Sequence, residues 1–338
     1  MRGWLASAML LSSVVAGSAQ ERPAELRFSL WLPAMHPLTQ TVTKEWIPSI
    51  ESASGGTLKI NLFPSEQIGK AFDHYDMARD GIADITFVNP GYQPGRFPIF
   101  SAAELPFVIK DSIGGSRAVD QWYRKYAEKE MKDVKVCMSF VHAPGALHMA
   151  RTKVTKPEQM KGMKVRPAQA TVASFMTSLG ATNVQASAVE ARDVIEKGVA
   201  DGLTFPWGSV LLFKIDNAVK YHLDVPMYVT PLVFAINKSK FNSLSEKQKK
   251  ALESHCNADW GVRLVTPWTK FEEGGRDKMR TLPGHDVYGL SDAEIESWKV
   301  AAKPVTDRWS ASVKKVGADP KVVMDELQAV LKKNDALY

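Results

Sequence analysis

One residue of this 338-residue sequence carries a charge where charge needs an explanation. "KGMKVR" (161–166) reads as the run into a short strand, Met163 to Arg166. "PAQATVASFMTSLGA" reads as a Pro turn and then a helix. Val172, Phe175, Met176 and Leu179 fall at i, i+3, i+4 and i+7, giving one apolar face, and Gly180 is placed to end the helix. Arg166 therefore ends a strand that reads as buried. An unpaired buried charge costs several kcal/mol, so a partner must exist. The sequence leaves two kinds open: an internal carboxylate, with Glu190 and Asp201 as candidates, or a bound anion. A carboxylate ligand suits arginine, whose planar fork bonds both oxygens at once.

The remaining chemistry is sparse. There is no G-x-S-x-G elbow, H-E-x-x-H, P-loop, G-x-G-x-x-G or C-x-x-C. The histidines (His36, His74, His142, His148, His222, His255, His285) are scattered. Only His142 and His148 are near each other, and a strand-loop-strand stretch is poor metal spacing. Asp84 and Asp201 follow helix ends, where a turn-forming Asp is ordinary. No catalytic residue, metal set or cofactor is expected. Cys137 lies in the strand-like "VKVCMSFV" and Cys256 in a helix-like run, and they form either a disulfide or two buried thiols.

The elements that must position Arg166 alternate strand and helix, which argues for α/β architecture with parallel sheets. "ELRFSLWL" (25–32), "TLKINLFP" (57–64) and "DITFV" (84–88) read as strands. Thr39 to Ala53, closed by Gly55-Gly56, and Asp73 to Arg79, stopped by Gly81, read as helices. S/T-x-x-E boxes at Thr155/Glu158, Ser187/Glu190, Ser243/Glu246 and Ser291/Glu294 predict helix starts. Ser245 to about Arg280 reads as one long helix kinked at Pro267. "DGIADITF" (80–87) is echoed by "KGVADGLTF" (197–205): a helix end, a Gly stop, a small residue, Asp, and a strand ending in an aromatic, with Pro following. Two similarly built lobes would bring two sets of strand carboxyl ends together as a cleft, where open α/β sheets bind ligands.

Residues 1–19 read as a signal peptide, with Arg2 as n-region, Trp4 to Ala16 as h-region and small residues at Gly17 and Ala19. The mature chain is then about 319 residues, enough for two domains. Losing Arg2 takes the formal charge from +6 to +5. The charges are interspersed without a polybasic run, so no nucleic-acid or anionic-membrane partner is expected, and the sign suits an acidic ligand.

At these stretches the chain resembles the solute-binding proteins of tripartite ATP-independent periplasmic (TRAP) transporters. "KGMKVR", "SLGA", Glu190, "KGVADG" and Pro206 follow the family pattern. So do "LFPSEQIG" (62–69), "GIADI" (81–85) and "ELPF" (104–107), and the likeness covers essentially the whole mature chain. It implies an α/β, two-lobed periplasmic binding protein that closes on a hinge, with a long helix bridging both lobes. The lobes are expected at 20–146 with 231–272 and at 147–230 with 273–338. It further implies a periplasmic monomer that is not an enzyme, and membrane partners in the form of a small and a large permease subunit. In the family, the arginine at the Arg166 position clamps a ligand carboxylate.

Two departures from the family pattern bear on the ligand. Sialic-acid-type members carry Asn before the Pro after Asp-Gly, where this chain has Phe205, Pro206 and Trp207. Many members have a second cleft arginine about twenty residues before the first, and the residues here are Ala146, Leu147 and His148. Strand ends and the loops after them add Trp31, His36, Asn89, Tyr92 and Tyr228 as candidate ligand-binding residues, with Arg166, Phe205, Trp207 and His148. One arginine between aromatic walls suits an aromatic or hydrophobic monocarboxylate, including 2-oxo or 2-hydroxy acids whose extra oxygen would meet Asn89 or His148. The alternatives are a sugar acid or C4-dicarboxylate in the same transporter class, a ligand-sensing subunit for a membrane receptor, and an exported enzyme using Arg166 to orient its substrate.

Overall fold

The computed structural model describes residues 22–338; the expected signal peptide lies outside the described residues. The strands are β1 (Ala24–Ser29), β2 (Leu58–Phe63), β3 (Ile85–Val88), β4 (Val134–Val141), β5 (Gly145–Met149), β6 (Lys164–Arg166), β7 (Thr182–Asn183), β8 (Gly202–Phe205), β9 (Tyr221–Tyr228), β10 (Pro231–Asn237) and β11 (Asp286–Tyr288). They form two sheets, ordered β2-β1-β3-β10-β4 and β7-β6-β8-β5-β9-β11. In each sheet the first three strands are parallel and the fourth is antiparallel to the third. The expected α/β, two-lobed class is what folds.

The sequence echo marks this repetition. Gly81 and Gly198 both take the left-handed conformation, at φ 72° and 67°, which glycine adopts without a Cβ penalty. Asp84 then accepts from the Arg27 backbone N–H at 2.7 Å, and Asp201 from that of Lys164 at 2.8 Å. The Asp84 N–H donates to Arg27 O and the Asp201 N–H to Lys164 O. Each Asp thus pins the start of one strand to its parallel neighbour, β3 to β1 at Arg27 and β8 to β6 at Lys164, a structural role in both sheets.

The chain crosses between sheets at residues 142–144 and 229–230. These crossings are bonded to each other: the His142 N–H donates to Thr230 O, and the Thr230 N–H to His142 Nε2 at 3.2 Å. The helix Ala258–Thr281 forms a third link. It packs on the helix Ile113–Glu130 and β4 at one side, and on the helix Trp207–Leu212 at the other. There Gly275 lies so close to Gly208 that a Cβ on it would fall 2.2 Å from the Gly208 Cα. The last helices divide likewise: Asp292–Lys315 packs on Ala170–Ser178, and Pro320–Lys333 on Ile113–Glu130. The C-terminal segment, expected within the second lobe, therefore touches both.

Several local expectations are corrected. The single helix over Ser245 to Arg280 is two, Glu246–Glu253 and Ala258–Thr281, because Asn257 caps the second by accepting from the Trp260 N–H. Pro267 does lie inside the second helix. The box at Ser243/Glu246 is instead Ser245/Gln248. At Thr155/Glu158, Gln159 accepts from the backbone of Thr155 and Lys156. Glu190 reaches back to Ser187, but Glu190 is itself the cap of Ala191–Glu196. Ser291/Glu294 forms as expected.

The open question of the cysteines is resolved as a Cys137–Cys256 disulfide, with a sequence separation of 119. It ties β4 to the residue before Asn257, the cap of the bridging helix. Closing so long a loop constrains the unfolded chain by up to about 5 kcal/mol in the chain-entropy account. Urea unfolding with and without reductant should show a loss of about 3–5 kcal/mol on reduction. Equal midpoints would remove the disulfide from the stability of the bridge.

Candidate functional site

A small cavity of about 50 Å³ lies between the two sheets. One wall comes from the ends of β1 and β3 and the loops after them: Trp31, Leu32, His36, Asn89 and Tyr92. The facing wall comes from β6, β8 and the helix after it: Arg166, Ala168, Phe205, Ser209 and Phe213. The crossings add His142 and Thr230, the end of β9 adds Tyr228, and the bridging helix adds Trp268. Extended strands end abruptly here and hand over to loops, so side chains from different strands converge.

Arg166 is 1% exposed. Its Nε–H donates to Ala186 O at 3.0 Å, its Nη1 to Thr204 O at 3.4 Å and its Nη2 to the Tyr92 hydroxyl at 3.3 Å. The guanidinium carbon stands 5.5 Å from the Phe205 ring centroid. Among the described residues no ion pair within 4.0 Å reaches it. The two candidate carboxylates are engaged elsewhere, Glu190 with Ser187 and Asp201 with Lys164. The charge is held by two carbonyl dipoles, one hydroxyl and a ring face, with guanidinium hydrogens left over.

The other unengaged polar groups on the cavity are also donors. Asn89 Oδ1 accepts from the Gly91 N–H, which leaves its amide nitrogen without a partner among the described residues. The Tyr228 hydroxyl is buried and makes no well-formed hydrogen bond. His36 Nδ1 accepts from the Leu38 N–H, and its Nε2 is buried without a partner. Burial, with His142 nearby, holds the His36 pKa down to about 3, so the ring is neutral. His142 is likewise lowered by burial to about 4. Glu272, bonded to two residues of the wall, is covered: it accepts from the Ser209 N–H and hydroxyl and from the Trp268 indole. Burial pushes its pKa up. The cavity is therefore apolar-walled, lined by unmet donors and without an open acceptor of charge.

Seven of the nine expected residues line this cavity: Arg166, Phe205, Asn89, Tyr92, Trp31, His36 and Tyr228. Two do not. His148 lies behind the wall, where its Nε2–H donates to Phe205 O and its Nδ1 is 2.8 Å from His222 Nδ1. Trp207 packs edge-on against His148 and opens on a separate recess with Glu272 and Arg276. Phe205 ends a strand and Trp207 begins a helix, and the change of backbone at Pro206 turns the two rings apart. The sequence reading missed His142, Thr230 and Trp268. The first two sit at crossings that no periodicity reveals. The third follows Pro267, and the aromatic beside a mid-helix proline was the available signal.

A pair of similar α/β sheets, crossed twice and bridged by a long helix around a shared cavity, is the architecture of a two-lobed binding protein. The chain belongs to bacterial extracellular solute-binding protein family 7, the DctP family, whose model matches residues 28–312. It is similar to solved TRAP solute-binding proteins. One from Rhodoferax ferrireducens, in complex with copurified benzoate, is 25% identical with a TM-score of 0.87, over 92% of this chain and 98% of that one. One from an unidentified marine microbe, specific for aromatic acid ligands and bound to 3-hydroxybenzoate, is 28% identical with a TM-score of 0.86, over 93% and 99%. One from Bordetella bronchiseptica, with bound mandelate, is 27% identical with a TM-score of 0.85, over 92% and 99%. Family members are periplasmic receptors for small organic acids that work with membrane permease components. No described helix is long and apolar enough to cross a membrane.

Burial of so many neutral imidazoles has a cost in acid. His36, His74, His142, His148 and His222 are pushed by desolvation to about 3, 4, 4, 4 and 2. In the unfolded chain they bind protons near 6.5, so their contribution is complete above that value and is lost as pH falls through it. Each slope approaches about 1.4 kcal/mol per pH unit. Glu104, raised by burial to about 7, acts the other way. Melting temperature should fall steadily from pH 7 to 5. A flat profile would show that these rings are solvated or charged in the folded state.

Proposed function

We propose that this chain is the extracytoplasmic receptor of a TRAP transporter for an aromatic or hydrophobic monocarboxylate, anchored by Arg166. The observation that carries the reading is the buried Arg166 guanidinium, which has no carboxylate partner among the described residues and lies on an apolar-walled cavity. A ligand carboxylate would supply the missing counter-charge. The flat body would lie among Trp31, Phe205, Phe213 and Trp268, gaining about 25 cal/mol per Å² buried and about 0.5–1.5 kcal/mol for each stacked ring. The benzoate, 3-hydroxybenzoate and mandelate held by similar proteins support this class. A second carboxylate would find no further cation on the cavity wall. In this reading residues 1–19 direct export to the periplasm, and the lobes turn about the crossings at 142–144 and 229–230 to deliver the acid to the permease. The protein acts as a monomer, and its role is transport rather than catalysis.

Calorimetric titration with benzoate tests the anchor. Arg166→Ala should weaken binding by roughly 2–5 kcal/mol, and Arg166→Lys should also lose affinity, since an ammonium cannot make two parallel bonds. Wild-type affinity in the Lys variant would dismiss the bidentate clamp. Tighter binding of succinate or a hexuronate than of benzoate would dismiss the ligand class.

Closure gives a separate measurement. Only the closed form touches ligand from both walls, so benzoate should shift the population toward it. Small-angle scattering should then report a smaller radius of gyration at saturation. An unchanged radius would contradict turning of the lobes.

A further inference from the structure

We infer that His36 is a specificity-determining residue. Its Nε2–H recognises an acceptor oxygen on the ligand body, so the preferred ligand is an aromatic monocarboxylate bearing a hydroxyl or carbonyl oxygen away from its carboxylate. This rests on reading the cavity as an acid-binding site. His36 caps the helical segment Pro37–Thr41, and its Nδ1 accepts the Leu38 N–H at 3.2 Å. That bond fixes the neutral tautomer: with Nδ1 accepting, the proton is on Nε2. His36 lines the same cavity as Arg166, and its Nε2 is fully buried and has no partner among the described residues.

The placement separates this donor from the anchor. His36 belongs to the β1 wall and packs edge-on to Trp268 at 4.8 Å. Arg166 belongs to the β6 wall, against Phe205. A carboxylate held by Arg166 thus leaves the His36 donor to meet whatever the opposite end of the ligand offers. His142, the other imidazole on the cavity, cannot take this part. Its Nδ1–H donates to Ala143 O at 2.5 Å, and its Nε2 accepts the Thr230 N–H. A plain hydrocarbon ring would leave the buried His36 N–H unmet, whereas an oxygen there would complete it. Buried donors discriminate in this way by about 10- to 100-fold.

The test is titration of the full mature chain with benzoate, 3-hydroxybenzoate and 4-hydroxybenzoate. Wild type should prefer at least one hydroxybenzoate to benzoate by about tenfold or more. In His36→Asn the shorter side chain can still accept the Leu38 N–H as a cap, but it withdraws the donor. The preference should collapse: the ratio of hydroxybenzoate to benzoate affinity should fall to within about twofold of one, whatever the shift in benzoate affinity itself. His36→Gln, which keeps a longer amide donor, should retain part of the preference and guards against a fold defect in the first variant. The inference is overturned if neither hydroxybenzoate outbinds benzoate on wild type, or if the preference survives in His36→Asn. Failure of all three acids to bind would overturn the acid-binding reading as well.

Discussion

The Arg166 guanidinium is the constraint around which the cavity is arranged. A permanent charge at 1% exposure is tolerable only if surrounding dipoles point toward it. The carbonyls of Ala186 and Thr204 and the hydroxyl of Tyr92 do so from three different elements. The Tyr92 hydroxyl in turn accepts from the Ala188 N–H, so the loop after β3 is bonded to the segment after β7 through the same oxygen that faces the arginine. The short strand β6 fixes the arginine's position, and Asp201 fixes that strand's start by accepting the Lys164 N–H.

The two walls meet through few connections, and those are unusually well bonded. His142 and Thr230 join the crossings, and the Thr230 hydroxyl donates to Gln169 at the head of the Ala170–Ser178 helix. Gln169 also donates to Val229 O. Next to them, Gly145 allows the Tyr228 ring to lie where a Cβ would come within 2.4 Å of its hydroxyl. Small and polar residues at the crossings thus serve the cavity as directly as its aromatic walls do.

Much of this was legible in the sequence, for identifiable reasons. The helix after Arg166 announced itself by its apolar spacing, and Gly180 ends it with φ 81°. The repeated Gly-x-Ala-Asp signalled matched strand starts, because the same backbone turn and the same carboxylate-to-amide bond recur. Strand ends pointed to Arg166, Asn89 and Phe205. The failures came where backbone conformation changes within two residues. Trp207 looked equivalent to Phe205 until the helix began between them. His148 looked like a loop residue but pairs within β5, opposite Leu203 and His222. Helix caps failed where two candidates lay close together, as at Ser243 and Ser245.

The pinning aspartates and the cavity occupy opposite ends of the same strands. β3 begins beside Asp84 and leads to Asn89 over four residues, Ile85–Val88, and a strand rises about 3.3 Å per residue. About 16 Å therefore separates Asp84 from Asn89, five residues on, beyond the 7–10 Å within which substitutions commonly couple. A lineage carrying this fold can exchange wall residues without disturbing the bonds that register its sheets. Such a receptor can inherit a new cargo through a few replacements, with its folding left intact.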